Sequence, residues 1–375
     1  MKRVVVAFDS FKGSLSSREA NEAFAAGVRD IMAEVEISAV AISDGGEGFS
    51  EAVAEGIGGD IVDACVSDSL GRPIAARYAL IDNGCTAVIA LASASGLMLL
   101  DAAERDPLVA STYGTGELIL DAVSRGCRRV VLGLGGSATC DAGTGLLRAL
   151  GCMFLDSKGR ELTSTIDILE HTELISVPVS PLRDVELYVA VDVENPLIGE
   201  RGAARVFAPQ KGASPEDVER LERAMCRFAD VVARHVRDDY AMERSMGAAG
   251  GVAFGLRAFL RAVPASGIGL MLELVNFESL VQGASLVVTG EGRVDCQTVM
   301  GKAPSGVLRV SERVGVGCVA VGGGVAWCDE LRSSGFDAIY AATPDGVPLA
   351  LAVQRDVAYD NLRAVGRRVA KDYLL

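Results

Sequence analysis

The sequence predicts an α/β protein. A doubly wound parallel-sheet domain is formed by both ends of the chain, and a mixed α/β domain is inserted between them. Three observations point there. Short apolar runs alternate with helical periodicity at both ends of the chain, as β-α-β units on a parallel sheet require. From about residue 60 the texture changes to short strands joined by tight turns, which suits an inserted sheet. Several apolar runs end in loops rich in glycine and carboxylates, and open α/β sheets bind ligands beyond the carboxyl ends of their strands. The expected division is 1–60 plus 270–375 for the doubly wound domain and 61–269 for the insert.

The elements follow in order. Residues 4–8, Val-Val-Val-Ala-Phe, read as a first buried strand. The run is too short for a signal peptide and Asp9 closes it. Ser16-Ser17-Arg18-Glu19 is a capping box, with Ser16 as N-cap and Glu19 three residues on. Ala20, Phe24, Val28 and Ile31 then recur at helical spacing. Residues 36–42 form a second strand, ending at Ser43 and the loop Asp44-Gly45-Gly46-Glu47-Gly48. Strands are expected at 61–66, 76–81 and 86–91, with turns at Leu70-Gly71-Arg72-Pro73 and Asp82-Asn83-Gly84. A helix over 115–124, a strand over 130–134 and a helix from Asp141 come next. A strand over 185–191 ends at Asp192, and 215–237 is a long helix. Strand–loop–helix units return at 285–289, ending at Gly290-Glu291-Gly292, and at 319–321, ending at Gly322-Gly323-Gly324.

Composition narrows the function classes. Half of the 375 residues are apolar, yet no uninterrupted run reaches the length of a membrane span. The formal charge of −14 lacks the basic patch that nucleic acid or an anionic membrane demands. The nine cysteines are scattered singly with no CxxC pair, so free thiols in a reducing cytoplasm are expected. The sequence leaves assembly open, and a homo-oligomer is compatible with it.

Chemistry concentrates in five loops. These are Asp9-Ser10-Phe11-Lys12-Gly13-Ser14, the loop from Asp44 to Gly48, Gly133-Leu134-Gly135-Gly136-Ser137-Ala138-Thr139, Asp192-Val193-Glu194-Asn195-Pro196, and Thr289-Gly290-Glu291-Gly292-Arg293-Val294-Asp295. Glycine lets backbone N–H groups approach a phosphate, and a neighbouring carboxylate can hold Mg²⁺ against phosphate oxygens. Each piece also has a plainer reading. Gly135-Gly136-Ser137 could be a tight turn, Lys12 a surface lysine, Asp44 or Asp192 a helix cap. Glu291 and Asp295 could be ion-paired to Arg293. The two histidines, His171 and His235, lie outside these loops, which disfavours a histidine-based triad. No GxxxxGK[ST] occurs, so a kinase here is not a P-loop enzyme.

A rival reading is a dinucleotide fold. Gly133-x-Gly135-x-x-Ala138 fits the GxGxx[G/A] fingerprint of NAD(P)-dependent oxidoreductases. Asp156 stands about twenty residues on, where a ribose-binding acid belongs. A third class is a non-catalytic nucleotide- or sugar-acid-binding protein.

Taken in order, the loops resemble those of the type 1 glycerate kinase family. The similarity continues through Ser111-Thr112-Tyr113-Gly114-Thr115-Gly116-Glu117-Leu118, Asn195-Pro196-Leu197, Phe207-Ala208-Pro209-Gln210-Lys211-Gly212-Ala213, Gly247-Ala248-Ala249-Gly250-Gly251 and Gly301-Lys302-Ala303-Pro304-Ser305-Gly306. The resemblance implies ATP-dependent phosphorylation of D-glycerate, usually at the 2-hydroxyl. It also implies a flavodoxin-like domain, an inserted domain with a small barrel-like sheet, and a site in the cleft between them. Three positions depart from the family pattern: Cys140 stands where asparagine is usual, Ala90 where a glutamate often precedes, and Asp106 where asparagine is common.

The expected mechanism puts Mg·ATP on Gly135, Gly136 and Ser137, with Lys12 near the transferred phosphate. Glu291 and Asp295 contact the metal. Asp44 or Asp192 accepts the substrate hydroxyl proton, and Lys211 or Arg293 binds the glycerate carboxylate.

Overall fold

The computed structural model describes residues 2–43, 45, 48–177 and 182–375. Its strands, in chain order, are β1 (Arg3–Phe8), β2 (Glu36–Ala39), β3 (Asp60–Ser67), β4 (Pro73–Ile81), β5 (Thr86–Ala90), β6 (Arg129–Gly133), β7 (Met153–Leu155), β8 (Leu174–Ser176), β9 (Glu186–Ala190), β10 (Val263–Ala265), β11 (Leu286–Val294), β12 (Cys318–Val325) and β13 (Ala338–Ala341). By contacts the chain divides into two compact units. One comprises Met1–Asp44, Glu55–Gly58 and Ile268–Leu375, and the other Gly45–Ala54 and Gly59–Gly267.

The first unit is built on a five-stranded sheet ordered β13-β12-β11-β1-β2, parallel throughout. Val4, Val6 and Phe8 of β1 pack with Ala20, Phe24 and Val28 of the helix Ser17–Ile31 and with Leu362 and Val365 of the helix Arg355–Val369. Val5 and Ala7 point to the opposite face and are equally buried. A strand covered on both faces reads as an unbroken apolar run. The Ser16 capping box forms as expected, with Ser16 Oγ accepting from Glu19 N–H and Glu19 closing back on Ser16. The two helices approach closely because Gly27 and Gly366 lack side chains. A Cβ at Gly27 would overlap the Arg363 carbonyl, and one at Gly366 the Phe24 carbonyl.

The second unit holds a six-stranded mixed sheet, β10-β9-β6-β5-β4-β3. The pairs β10–β9, β9–β6 and β6–β5 are parallel, whereas β5–β4 and β4–β3 are antiparallel. The hairpin strands expected after residue 60 are therefore one edge of this sheet. A separate antiparallel pair joins β7 to β8. The helix Pro215–Val236, capped by Ser214, buries Leu221, Met225 and Phe228 beside Phe154 and Phe254.

Several elements differ from expectation. β2 ends at Ala39, although Val40 and Ile42 N–H still donate to Val6 and Phe8 carbonyls. The helix expected from Asp141 begins at Thr144, because Ala142 and Gly143 are left-handed at φ 51° and 75°. β11 and β12 do not stop before their glycines: Gly290, Glu291 and Arg293 pair with Val321, Gly322 and Gly324. The nine cysteines are not all separate thiols, since Cys296 and Cys328 are joined, 32 residues apart in the chain. No helix among the described residues is long and apolar enough to cross a membrane.

Candidate active site

In the second unit the candidate phosphate loop runs from the end of β6. Gly133 closes the strand against the Gly45 carbonyl, where a Cβ would overlap. Gly135 N–H donates to the same carbonyl at 3.2 Å. Gly136 has φ 74°, and a Cβ there would stand 3.3 Å from Ala92 Cβ. Its carbonyl accepts from Leu97 N–H at 2.8 Å. The turn is thus fixed at both ends with its backbone bare of side chains, as a phosphate cradle needs.

Beyond the turn the chain is anchored by buried polar groups. Lys211 is only 2% exposed. Its ammonium donates to Ser137 Oγ at 2.8 Å and to the Thr139 carbonyl at 2.7 Å. Burial lowers the Lys211 pKa, opposed by the neighbouring Cys140 and Asp141. The structure therefore spends Lys211 inside the loop, holding Ser137, and not as an outward group for a substrate carboxylate. Asp141 is fully buried. It accepts from Thr112 N–H and Oγ1 at 2.8 and 2.7 Å and from Gly143 and Gly145 N–H at 2.9 and 3.1 Å. Burial pushes its carboxyl up, against those bonds, which favour the charged form.

Sequence reasoning gave no role to the segment Gly247–Gly251. It buttresses this loop. Ala249, Gly250 and Gly251 are all left-handed, at φ 52°, 67° and 92°. The Gly250 carbonyl accepts from Ala142 N–H at 3.0 Å. A Cβ on Gly250 would meet Cys140 Cα at 2.6 Å. The signal in the sequence was the Gly-Ala-Ala-Gly-Gly run itself, one of the stretches that resemble the family. Cys140 is buried in this contact, and Ala90 is buried with its N–H donating to Ser50 Oγ at 3.1 Å. Asp106 serves a turn, accepting from Leu108 N–H.

Asp192 follows β9, is exposed, and accepts from Gly267 N–H at 3.1 Å. Asp44, the other candidate base, lies outside the described residues, as do Gly46 and Glu47.

In the first unit Lys12 sits in a tight loop in which Ser14 and Leu15 N–H donate to the Phe11 carbonyl. Its side chain is exposed. Its backbone lies beside Gly292 of β11, where a Cβ would be 3.4 Å from Lys12 N. Glu291 and Arg293 alternate along β11 and so lean to one face, and Asp295 follows at the bend just past its end. Thr298 Oγ1 donates to Glu291 Oε1 at 2.7 Å and accepts from Asp295 N–H at 2.9 Å. Lys302 Nζ is 3.7 Å from Glu291 Oε2. Arg293 is paired with Asp295 at 3.5 Å, with its side chain 73% exposed.

Oxygen donors on this segment suit a hard cation, which is commonly held by one or two carboxylates. The bare Gly136 turn suits phosphates. Ser14 Oγ and Thr289 Oγ1 are buried hydroxyls without hydrogen-bond partners among the described residues, groups that a polar ligand would satisfy.

The dinucleotide reading fails on geometry. β6 pairs with β5 and β9, not with β7, so Asp156 is not at the end of a neighbouring strand. Its carboxylate accepts from Lys158 and Arg160 N–H and pairs with the Arg160 side chain. It closes a turn.

Comparison with known proteins agrees on one family. The family model for the glycerate kinase family matches residues 4–374. The glycerate kinase of Bacillus subtilis (strain 168) is 39% identical over 362 residues, covering 95% of this chain and 94% of its own. The glycerate 2-kinase of Escherichia coli (strain K12) is 36% identical over 374 residues, covering 98% and 97%. A crystal structure from Salmonella typhimurium LT2, assigned as a glycerate kinase 2, superposes with a TM-score of 0.87 at 37% identity, over 99% of this chain and 98% of that one.

Proposed function

This chain belongs to the glycerate kinase family, and we propose that it transfers the terminal phosphate of ATP to the 2-hydroxyl of D-glycerate, giving 2-phosphoglycerate. It is a phosphotransferase with an alcohol acceptor and a small-molecule substrate. The observation that carries the reading is the reach of the family match. It runs from residue 4 to 374 and takes in the loops of both units on which the lysines, acids and bare glycine turns stand.

Phosphoryl transfer asks for positioning and charge neutralisation more than for covalent chemistry. Backbone N–H groups of Gly136 and Ser137 cradle phosphates, with Gly135 pinned to the Gly45 carbonyl and leaving the turn bare, and Lys211 holding Ser137 in register. Lys12 contributes a positive charge at the transferred phosphate. Asp192 or Asp44 accepts the proton leaving the substrate hydroxyl. Arg293 binds the glycerate carboxylate, for which its planar fork is suited. Glu291 and Asp295 would hold Mg²⁺, which when bound neutralises phosphate charge.

At the level of fold, we read residues 1–60 plus 270–375 as a doubly wound flavodoxin-like domain. The order β2-β1-β11-β12-β13 supports this, being 2-1-3-4-5 by position in the chain. We read residues 61–269 as the inserted mixed α/β domain, with its six-stranded sheet in place of the expected small barrel. We place the protein in the cytoplasm.

A coupled assay of ADP release against a panel of hydroxy acids tests the function. ADP should appear with D-glycerate and stop in excess EDTA. Release indifferent to the acid added, or undiminished by EDTA, would remove the proposed acceptor or the proposed metal respectively.

A further inference from the structure

Cys296 and Cys328 stand outside every role assigned above. Their sulfurs are joined and their Cα atoms are 6.0 Å apart, within the span a disulfide bridges. The sheet explains why residues so distant in sequence meet. Val294 at the end of β11 lies opposite Val325 at the end of β12, and Ala326 N–H donates to the Val294 carbonyl at 2.8 Å. The segments leaving the two strands therefore start side by side. Both cysteines are partly exposed, so a small thiol reagent can reach them. Cys127, Cys140, Cys152 and Cys318, by contrast, are buried.

The location matters. Cys296 follows Asp295 directly. The Asp295 amide donates to Thr298 Oγ1, and that hydroxyl donates to Glu291. The cross-link thus sits on the short segment that ties the two candidate metal carboxylates together. We propose that Cys296 and Cys328 form a reversible thiol switch. As a disulfide they hold the segment after β11 in the arrangement that keeps Glu291 engaged by Thr298 and Lys302, and reduction releases it for turnover. This rests on the reading of Glu291 and Asp295 as part of the kinase site.

The oxidant is a small-molecule disulfide such as oxidised glutathione. One cysteine thiolate attacks a sulfur of that disulfide, breaking its S–S bond and expelling one glutathione thiolate. The second cysteine attacks the resulting mixed disulfide and expels the other glutathione. The protein loses two electrons and two protons, and two glutathione thiols form.

The test uses the full chain equilibrated with oxidised or reduced glutathione, blocked with an alkylating agent and mapped by mass spectrometry without reduction. ADP release is measured in parallel. A Cys296–Cys328 linked peptide should appear only in the oxidised sample. Glycerate-dependent turnover there should fall at least fivefold and return with dithiothreitol. Cys296→Ser and Cys328→Ser, with unchanged melting temperatures, should keep the reduced enzyme's turnover and ignore the oxidant. The switch is overturned if no linked peptide forms, or if the linked protein turns over normally. It is also overturned if added Zn²⁺ shields both thiols until a chelator removes it, which would make Cys296, Cys328 and the nearby Glu330 a metal site. A reduced wild type and both serine variants that are equally inactive would contradict the kinase reading instead, since the peptide map still reports the bond.

Discussion

At the scale of single residues, the assignments separate by what each side chain already touches. Lys12 is exposed on a tight loop, with no hydrogen bond or ion pair to it among the described residues. Lys211 is buried and its bonds are made within the Ser137–Thr139 loop. Lys12→Met should therefore leave folding intact and lower kcat roughly a hundredfold, since one preorganised charge contact is worth about 3 kcal/mol of barrier. Unchanged kinetics would make Lys12 an ordinary surface lysine. Gly136 separates cradle from turn. Its φ of 74° and the 3.3 Å approach of Ala92 mean that Gly136→Ala should cost about 1 kcal/mol of stability and weaken ATP binding, while Gly136→Val should abolish binding. Titration calorimetry beside thermal melts distinguishes the cases. A folded Gly136→Val protein with normal ATP affinity would take this loop out of the site.

At the scale of elements, the capping box, the buried first strand and the long helix from Pro215 were legible because local pattern dictates them. The strand ends were not. Glycine runs in β11 and β12 look like turns in sequence. In the sheet they are strand, and Gly290 is glycine because a Cβ would overlap the Val321 carbonyl. Glycine inside a strand marks close approach as readily as a break. The start of the helix near Asp141 was misread for the opposite reason. Asp141 looks like the first residue of the helix, yet two left-handed residues follow it, and its carboxylate accepts both from the distant Thr112 amide and from the Gly143 and Gly145 amides at the helix start. The packing of the helix Ser17–Ile31 on Arg355–Val369 carries a pH signature. Asp30 accepts from Arg363 and pairs with Arg367, and these partners hold its carboxyl well below the usual carboxylate range. A depressed acid stabilises the fold above its unfolded pKa, near 3.9, and that stability is lost as pH falls below it. Melts of the wild type should therefore lose temperature below about pH 4, and Asp30→Asn should show a shallower decline there. Parallel declines would deny the pair any share in acid stability.

At the scale of the whole molecule, the least legible feature is which strands are neighbours. β1 pairs residue for residue with β11, Val4 against Leu286 and Phe8 against Gly290, residues 282 positions apart in the chain. No local periodicity carries that information. It emerges only because an apolar strand with both faces buried needs partners of the same kind, and the sequence supplies them at its two ends. The joining of Cys296 to Cys328 was hidden in the same way, since it depends on the register of β11 with β12. The function proposed for this assembly is answered most directly by phosphorus NMR of one reaction containing the protein, Mg·ATP and D-glycerate. The expected spectrum shows the ATP signals giving way to ADP and a new phosphomonoester. Its phosphorus should be split by the single methine proton of the 2-position. A spectrum in which ATP persists and no phosphomonoester grows in would contradict phosphorylation of glycerate by this protein.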